Sequence, residues 1–344
     1  MRMSIPITHY IGRGWMNRFK AASDTKVPDL HGIKRLSLLI DSWIEDAVLG
    51  VPVEEYFAYE FYLRNRRGRR AFAAGYRIWR LYDDLNDMSC LDMLFPKTGM
   101  WENYETVLKR DHVCAGTASF EEFLAFTVRH PRFFVKPSDK ECGIGCRIMT
   151  CDSDSEAKEM YSWLHENDYV AEELVKQCTE LAEFNASTLN TIRIISFVDK
   201  KGNPQLFPYG IIRLGRAGKV VDNYGGGNGG LGCPIDIQSG CIVAQGFDIA
   251  RNQYTDHPDS GKRIVGFQIP AWKKVCEAAK QAALICPRLR VIGWDIAVSD
   301  SYEAIVIEGN PRPSPISYQM DGVGRWQMIH DMVSEHMNVR DRNR

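Results

Sequence analysis

The sequence predicts an α+β protein in which a mainly helical N-terminal lobe precedes two lobes that mix helices and strands. The first 90 or so residues contain three stretches with apolar residues at helical spacing. After about residue 115, short apolar strands alternate with amphipathic helices. We therefore predict a helical lobe over residues 1–105, α+β lobes over 106–176 and 177–335, and a disordered tail over 336–344.

The clearest predicted helix of the helical lobe is "IKRLSLLIDSWIEDAVLG". Its apolar residues form one stripe of an amphipathic helix, and Gly50 ends the helix. "VEEYFAYEFYLRN" and "RRAFAAGYRIWRLYDDLND" are the next two helical candidates. Between them lies "RNRRGRR", residues 64–70. The favoured interpretation of this run is a solvated helix end and turn, and the alternative is a patch that receives an anionic substrate.

Composition excludes several classes of function. The chain has 344 residues and a formal net charge of −1, which gives no support for a nucleic-acid or membrane partner. No apolar run approaches the ~20 residues of a membrane span, and the N-terminus lacks the apolar segment of a signal peptide, so we expect a cytoplasmic protein. The ten cysteines lack the paired spacing of a zinc site, which predicts free thiols and no structural metal.

Two segments in the middle of the chain predict nucleotide contacts. "FVKPSDKECGIGCRIM" ends a strand at Lys136 and continues into a loop with Gly143 and Gly145, a combination that suits a polyphosphate although it is not a P-loop. "YVAEELV" carries Glu172 and Glu173 in an apolar strand whose end could pair with an adenine edge. The alternatives are a plain surface turn and ordinary strand alternation.

Two arginines lie in a predicted hairpin. "NTIRIISFVDKKGNPQLFPYGIIRLG" predicts two strands that turn at residues 200–203, with Arg193 on one strand and Arg213 at the end of the other. Paired in this way, they could hold phosphate oxygens, whereas a lone strand arginine is usually an edge residue. The glycine-rich loop over residues 222–232 follows, as either a loose hairpin tip or a loop that wraps a charged ligand.

The C-terminal segment "VIGWDIAVSDSYEAIVIEGNPRP" predicts a second hairpin with a polar turn at residues 299–301. Glu308 and Asn310 are two residues apart and share one face of their strand, and Asp295 lies on the neighbouring strand. Oxygen ligands from two strands suit Mg²⁺ that also binds substrate phosphates. The alternative is a solvent-facing Glu308 before a turn that starts at Asn310.

In this order, these motifs resemble the ATP-grasp superfamily, and within it the sugar-transfer-associated ATP-grasp group. The matching segments are "FPKTG" with Lys97, "FVKP", "EELV", "NTIRI", "GWDIA" and "IEGNPRP", and the group likeness adds "NGGLGCPID", "HPDSGKRIVGFQIPAW" and "GVPVEEYFAYEFYL". The resemblance implies an ATP-grasp fold, in which two α+β lobes clasp ATP. It covers roughly residues 45–320.

The resemblance also implies roles for the matching residues. Lys97 and Lys136 would contact ATP phosphates, and Gly143 and Gly145 would belong to a mobile lid. Arg193 would face the transferred phosphate, with Lys136 and Arg213 as the other catalytic candidates. The hinge for adenine would be Glu172, Glu173, Leu174 and Val175, with Glu180 for ribose. The Mg²⁺ ligands would be Asp295, Glu308 and Asn310. Further nucleotide or substrate candidates are Asp222, Asn223, Arg213, His257 and Arg312.

The activity implied by this resemblance is an ATP- and Mg²⁺-dependent carboxylate–amine ligase that acts through an acylphosphate, with Mn²⁺ as an alternative metal. The substrates would be a small-molecule acid, saccharide-linked or from secondary metabolism, and an amine. A kinase that phosphorylates a hydroxyl and a non-catalytic nucleotide-binding regulator are the other two hypotheses. Oligomeric state is left open, with a homodimer among the options.

Overall fold

The computed structural model describes residues 13–140, 143–222 and 229–337, and the chain divides into two compact units. The helical unit comprises the residues up to Asp84, Ile249–Gln253 and the residues from Ser314; the mixed unit comprises Leu85–Asp248 and Tyr254–Pro313. Residues 85–105, which were predicted to belong to the helical lobe, thus fall in the mixed unit. The predicted limits of the three lobes remain predictions. No helix in the described ranges has the length and apolar character needed to span a bilayer.

The helical unit contains helices in the three predicted places, but the second is α-helical only over Val53–Ala58 and the third starts only at Gly75. Short 3₁₀ helices cover Phe61–Leu63 and Ser317–Gln319. Its α-helices are α1 (Arg13–Lys26), α2 (Gly32–Leu49), α3 (Val53–Ala58), α4 (Arg66–Arg69) and α5 (Gly75–Leu85), with α11 (Trp326–Met337) from the C-terminal part. An aromatic cluster that includes Tyr56, Phe57 and Phe72 fills the core.

Helix α2 ends where the sequence predicts, because Gly50 adopts a left-handed conformation with φ of 65° and its N–H caps the helix. A side chain at Gly50 would also meet the ring of Tyr76 at 2.5 Å. Only part of the apolar stripe faces the core. Leu39 and Trp43 pack against the core, whereas Leu36 and Ile40 are exposed.

Two arginines of the run between the second and third predicted helices form contacts within the helical unit. Arg69 forms ion pairs of 2.6 Å with both Asp41 and Glu45. Arg64 donates hydrogen bonds to the carbonyl oxygens of Tyr59 and Gly322. Both arginines therefore stabilise the helical unit and are not solvated as predicted, whereas Arg66, Arg67 and Arg70 are exposed.

The mixed unit alternates helices and strands, as predicted. A 3₁₀ helix covers Met88–Met93. The helices and strands in chain order are α6 (Lys97–Leu108), β1 (His112–Cys114), α7 (Phe120–Arg129), β2 (Arg132–Pro137), β3 (Arg147–Thr150), α8 (Asp154–Glu166), β4 (Tyr169–Glu173), α9 (Thr179–Ala182), β5 (Ile192–Val198), β6 (Pro204–Leu214), β7 (Leu231–Asp236), β8 (Gly246–Phe247), β9 (Gln253–Tyr254, at the unit border), α10 (Trp272–Ile285), β10 (Val291–Val298) and β11 (Ala304–Asn310).

Four of these strands form a small antiparallel sheet in the order β1-β4-β2-β3. Helices α7 and α8 supply its core, in which Phe123 and Phe126 pack edge-on against Phe133. Ser119 and Glu122 form the predicted capping box at the start of α7. This sheet carries Lys136 at the end of β2 and Glu172 near the end of β4.

The other strands form a seven-stranded sheet in the order β11-β10-β5-β6-β7-β8-β9. Both predicted hairpins, β5–β6 and β10–β11, are confirmed as antiparallel pairs. Across three neighbouring strands, Asp295 of β10 lies opposite Arg193 of β5 on one side and Glu308 of β11 on the other. Directly opposed residues share a face of the sheet, so these three side chains are brought together.

Candidate functional site

A cavity of about 260 Å³ lies in the mixed unit between the N-terminal part of α6, the end of β2 and the end of β11. Its apolar walls come mainly from the 3₁₀ helix, α6 and β11. The polar side chains that line it are Lys97, Lys136, Glu308, Asn310 and Arg312. Four of the residues predicted to bind phosphate or metal therefore surround one enclosed space.

Two lysines form one side of the cavity, and both are buried. Lys97 starts α6, and its Nζ donates to the carbonyl oxygen of Pro137 at 3.1 Å and to that of Lys140. Burial lowers the pKa of Lys97, while the negative charge of Glu308 opposes that shift. Lys136 pairs with the carboxylate of Glu172. Two cations that face an acidic wall suit a ligand with both phosphate groups and a metal ion.

Glu172 is a buried anchor for the lysine side of the cavity. Its carboxylate accepts hydrogen bonds from Trp101 Nε1 at 3.1 Å and Arg110 Nη2 at 3.0 Å, in addition to the ion pair with Lys136. Burial alone would raise the pKa of Glu172, but the positive charges of Arg110 and Lys136 lower it to about 2. Glu172 is therefore ionised and fully paired.

The predicted adenine hinge lies partly inside the small sheet and partly beyond the end of β4. Glu172 pairs with β1 and β2 on its two sides, and the Glu173 N–H donates to the carbonyl oxygen of Asp111. Among the described residues, no backbone group is hydrogen-bonded to the backbone of Leu174 or Val175. The hinge remains a prediction, and Leu174 and Val175 are its members with backbone groups available to a ligand.

A second buried charge cluster lies beside the cavity on the large sheet. Arg193 Nε and Nη2 each donate to Asp295 at 2.6 Å, and Arg213 Nη2 approaches the same carboxylate at 2.5 Å. Thr191 Oγ1 accepts from Arg213 and donates to Asp222 at 2.5 Å. Burial would raise the pKa of Asp295, but Arg193 and Arg213 lower it to about 2.

The acidic side of the cavity contains Glu308 and Asn310. Glu308 has no hydrogen bond or ion pair within the described part of the chain, and its neighbour across the strands is Asp295. The Asn310 side-chain oxygen accepts from the Arg312 N–H at 2.9 Å. The Asn310 side chain therefore stabilises a local turn and also lines the cavity.

These donors fit Mg²⁺ bound jointly with phosphate. Glu308 is a carboxylate without a protein partner in the described residues, and Asn310 adds an amide oxygen. Within the described ranges, no three His, Cys, Asp or Glu side chains are grouped as an all-protein metal site. Mg²⁺ typically uses one or two carboxylates and completes its shell with water and phosphate oxygens. Asp295 as a ligand stays a prediction, since two arginines occupy its oxygens here.

The remaining predicted residues are more dispersed. Gly145 has φ of 77°, and a side chain there would lie 2.8 Å from Pro137, so this loop position requires glycine. Glu180 accepts from the Tyr302 hydroxyl at 3.0 Å, on a short helix. His257 is buried and hydrogen-bonded to the Gly215 carbonyl oxygen, and burial lowers its pKa.

Two further predictions concern the loops. Gly143 has φ of 75° and precedes Gly145 in the loop after β2, as predicted. Asn223 lies outside the described residues.

Arg110 is the residue that sequence reasoning missed. Besides Glu172, it donates to the carbonyl oxygen of Val306 at 2.7 Å and to that of Ile307 at 3.3 Å. Its guanidinium lies 4.6 Å from the centre of the Trp101 ring. The Trp101 ring is also stacked with the His112 ring. Arg110 thus joins the small sheet to the strand that carries Glu308, and its segment, "KRDH", has no motif that would have indicated this.

Comparison with known protein families gives one match across most of this unit. The sequence model of a family described as "Sugar-transfer associated ATP-grasp" matches residues 106–329. That span includes Lys136, Arg193 and the whole β10–β11 hairpin, and it starts after Lys97. Comparison with curated proteins gave no match.

Comparison with solved structures gives ATP-grasp enzymes at low similarity. The ATP-grasp ligase PsnB, complexed with minimal precursor, Mg and ADP, matches at 12% identity and a TM-score of 0.38 over 74% of this chain and 57% of its own. D-alanine–D-alanine ligase from Bacillus anthracis matches at 18% identity and a TM-score of 0.39 over 71% of this chain and 66% of its own. An ADP complex of purK, N5-carboxyaminoimidazole ribonucleotide synthetase, matches at 12% identity and a TM-score of 0.36 over 61% of this chain and 44% of its own. The chain thus spans less than two thirds of each of these proteins, and at these values nothing about substrate follows.

Proposed function

The chain belongs to the sugar-transfer associated ATP-grasp family and has the ATP-grasp fold, and from this premise we propose that it is an ATP- and Mg²⁺-dependent carboxylate–amine ligase. The observation that supports the proposal is the cavity in which Lys97 and Lys136 oppose Glu308 and Asn310. Such a space offers cations for phosphate oxygens on one side and oxygen ligands for a metal on the other. ATP is the substrate that matches both.

In the proposed reaction, a carboxylate oxygen of the acid attacks the γ-phosphorus of ATP, and the bond to ADP breaks. An amine nitrogen then attacks the carbonyl carbon of the acylphosphate, the bond to the phosphate oxygen breaks, and phosphate leaves while the amine gives up a proton. The protein has to reduce repulsion between two anions and align them. Lys97 and Lys136 supply fixed positive charge for the first step.

The charge networks around the cavity would position these groups. Arg110 pairs with Glu172, and Glu172 in turn pairs with Lys136, so the Lys136 ammonium group is preorganised by a buried contact. Glu308 and Asn310 would hold Mg²⁺, which, when bound, neutralises phosphate charge. Arg193 and Arg213 share Asp295, and we propose that this pairing keeps both guanidinium groups oriented beside the transferred phosphate.

The family description is the only support for the substrate class that we propose. An acid that is linked to a saccharide, or that comes from secondary metabolism, would receive an amine such as an amino acid. Leu174 and Val175 would hydrogen-bond adenine through their backbone, with Glu180 near the ribose. Mn²⁺ would substitute for Mg²⁺, because the same oxygen ligands suit both ions.

The test is a screen for ADP release with pairs of acids and amines, with mass spectrometry of the product. Sustained release that needs both substrates and yields an amide supports the ligase. Release with a hydroxyl compound and no amine would identify a kinase, and ATP binding without turnover would identify a regulator; either result contradicts the proposal.

The decisive variant is Glu308→Gln. It keeps the size of the side chain and removes the charge that would bind the metal, so we expect kcat/KM to fall by about 100-fold or more. Glu303→Gln is the matched control, since Glu303 lies just before β11 on the surface and pairs with Lys274. Near wild-type turnover in E308Q, with an unchanged circular dichroism spectrum, would exclude the metal assignment.

A further inference from the structure

Arg213, near the end of β6, is held from two sides by buried polar groups. Its Nη2 lies 2.5 Å from the Asp295 carboxylate, and its Nε and Nη2 donate to the Thr191 hydroxyl oxygen at 3.0 and 2.7 Å. All three residues are buried. Because the donors of a guanidinium form a rigid fork, the contacts on these two sides decide where Arg213 points.

The neighbouring Arg193 is fixed in a different way. Its Nε donates to one oxygen of Asp295 and its Nη2 to the other, each at 2.6 Å. Arg213 Nη2 approaches the oxygen that Arg193 Nη2 already uses. Since the two cations repel each other at that oxygen, Asp295 fixes Arg193 more firmly than Arg213. The orientation of Arg213 therefore depends more on its contacts with Thr191.

The Thr191 hydroxyl is used completely by its contacts. A threonine hydroxyl has one hydrogen to donate and two lone pairs to accept with. The oxygen accepts from Nε and Nη2 of Arg213, and the hydrogen is donated to Asp222 Oδ2 at 2.5 Å. Arginine has no acceptor atom, so donation to Asp222 leaves both lone pairs for the guanidinium.

Asp222 fixes the direction of that hydroxyl. Its Oδ2 accepts from the hydroxyl and also from the backbone N–H of Thr191, the latter at 2.8 Å, and the residue is buried. The same oxygen lies 3.7 Å from Arg213 Nε, beyond hydrogen-bond distance. Asp222 therefore acts on Arg213 mainly through Thr191, and its negative charge strengthens the chain of hydrogen bonds.

The backbone of Thr191 joins it to Arg213 without the hydroxyl. The Arg213 N–H donates to the Thr191 carbonyl oxygen at 2.8 Å, and the next residues of the two strands, Ile192 and Ile212, are paired. Valine has nearly the shape of threonine and keeps these backbone contacts. The role of the hydroxyl can therefore be separated from the pairing of the strands.

We propose that Thr191 and Asp222 are positioning residues for Arg213: the Asp222 carboxylate orients the Thr191 hydroxyl, and the hydroxyl holds the guanidinium beside the transferred phosphate. The effect on turnover rests on the proposed ligase function, whereas the orientation of Arg213 does not depend on any substrate. In this arrangement neither positioning residue contacts the reacting atoms, so both act only through Arg213.

Isotope-edited NMR of the arginine Nε–H groups in the full chain tests the orientation without turnover. The Arg213 Nε–H should exchange slowly with solvent, and its signal is assigned by its loss in Arg213→Lys. Thr191→Val removes its acceptor, so we expect exchange to become faster by about tenfold or more, while Arg193 keeps its rate within about twofold. An unchanged Arg213 rate in T191V overturns the proposal.

Steady-state kinetics distinguish positioning from a purely structural role. T191V should lower kcat by about tenfold and change KM for ATP by less than about twofold, because Arg213 is proposed to act on the phosphate during transfer. Thr191→Ser keeps the hydroxyl and should restore kcat to within about threefold of the wild type. A T191S chain as slow as T191V would contradict the role of the hydroxyl.

Thr127→Val is the matched control for the loss of a buried hydroxyl. Thr127 is buried in α7, and its hydroxyl donates to the Leu124 carbonyl oxygen at 2.9 Å. T127V should leave kcat and the Arg213 exchange rate within about twofold of the wild type. An effect as large as that of T191V on either quantity would mean that any buried hydroxyl has the same influence, and would overturn the proposal.

A double variant tests whether Thr191 acts through Arg213. Lysine keeps the positive charge but lacks the fork of donors, so T191V added to R213K should lower kcat by less than about twofold further. If T191V lowers kcat by the same factor in both backgrounds, Thr191 acts by another route and the proposal is wrong.

Failure of the ligase and failure of the positioning role give different results. A wild-type chain that turns over no acid–amine pair would contradict the ligase, but the Arg213 exchange rates would still decide the positioning role. If circular dichroism shows that T191V does not fold, Asp222→Asn replaces it. D222N keeps an acceptor oxygen and removes the charge, so Arg213 exchange should become faster by about threefold or more. An unchanged rate in D222N would overturn the proposal.

Discussion

Glu55 of the helical unit and Glu172 of the mixed unit are both buried glutamates, yet their pKa values move in opposite directions. Burial raises the pKa of Glu55 to about 8, and within the described ranges its carboxylate accepts one hydrogen bond, from the Gly75 N–H at 2.9 Å. Its nearest charged neighbours are the acids Glu54 and Asp46, which raise the pKa further. Glu172 is held near 2 by Arg110 and Lys136.

The difference shows that burial alone does not decide whether a carboxylate is charged. A buried acid without a cation takes up a proton, whereas one with two cations stays ionised and fixes them. In the mixed unit, this arrangement keeps Glu172 ionised and paired with Lys136, which lines the cavity. In the helical unit, it produces a neutral group that acts as a cap for α5.

The largest expected effect comes from Arg110→Met, which makes Glu172 resemble Glu55 by removing one of its cations. We expect the free energy of unfolding of the mixed unit to fall by about 3–5 kcal/mol, because a buried charge loses its partner. Hydrogen exchange of the β4 amides should report the loss locally. A change below about 1 kcal/mol would mean that Lys136 alone is sufficient to stabilise Glu172.

The next largest effect is the pH dependence of the helical unit. Because the folded pKa of Glu55 lies near 8, above its ordinary value of 4.5, the unfolded state releases this proton first as pH rises. Stability contributed by the protonated group is present below pH 4.5 and is lost toward pH 8, by about 2–4 kcal/mol. Glu55→Gln should remove this slope in thermal unfolding followed between pH 5 and 8. An equal slope in E55Q would contradict the assignment.

Glu172 predicts the opposite pH dependence, a loss of stability in the mixed unit at low pH. Its folded pKa of about 2 lies below the ordinary 4.5, so its contribution is complete above pH 4.5 and is lost as the pH falls through 2. Stability of the mixed unit should therefore fall by about 2–3 kcal/mol on acidification. In R110M, the same loss should begin at higher pH. Urea titrations from pH 6 to pH 3 measure both, and identical profiles would be inconsistent with the role of Arg110.

The smallest effect is expected for an arginine pair on the surface. Arg129 contacts Asp111 at 2.7 Å, but both side chains are substantially exposed. Arg129→Met should therefore change the free energy of unfolding by less than about 1 kcal/mol. It is the matched control for Arg110→Met, and a similar loss in both variants would mean that burial of the pair is not what matters.

The sequence predicted the hairpins and the residues on them, because strand period and turn residues are local signals. Asp295 and Glu308 could be assigned to neighbouring strands from "GWDIA" and "IEGN" without coordinates. Arg110 could not be found in this way, since its partners Glu172 and Val306 lie 62 and 196 residues away. No local pattern encodes a contact over that distance.

The orientation of α2 was unpredictable for a related reason. Helical spacing identifies an apolar stripe, but it contains no information about which neighbour the stripe faces. Likewise, the sequence indicated that Asp295 is a candidate metal ligand, whereas its two arginine partners in the structure depend on the register of β5, β6 and β10. Charge partners inside a sheet are fixed by tertiary pairing rather than by composition.

The attachment of Arg110 to both sheets has a mechanical consequence. One guanidinium bridges the Glu172 carboxylate and two carbonyl groups of β11, so it fastens the small sheet to the edge strand of the large sheet. Separation of the sheets at this point would leave the buried Arg110 guanidinium without its hydrogen-bond partners. If the two sheets move apart when a ligand enters, we expect the movement to be smallest at Arg110.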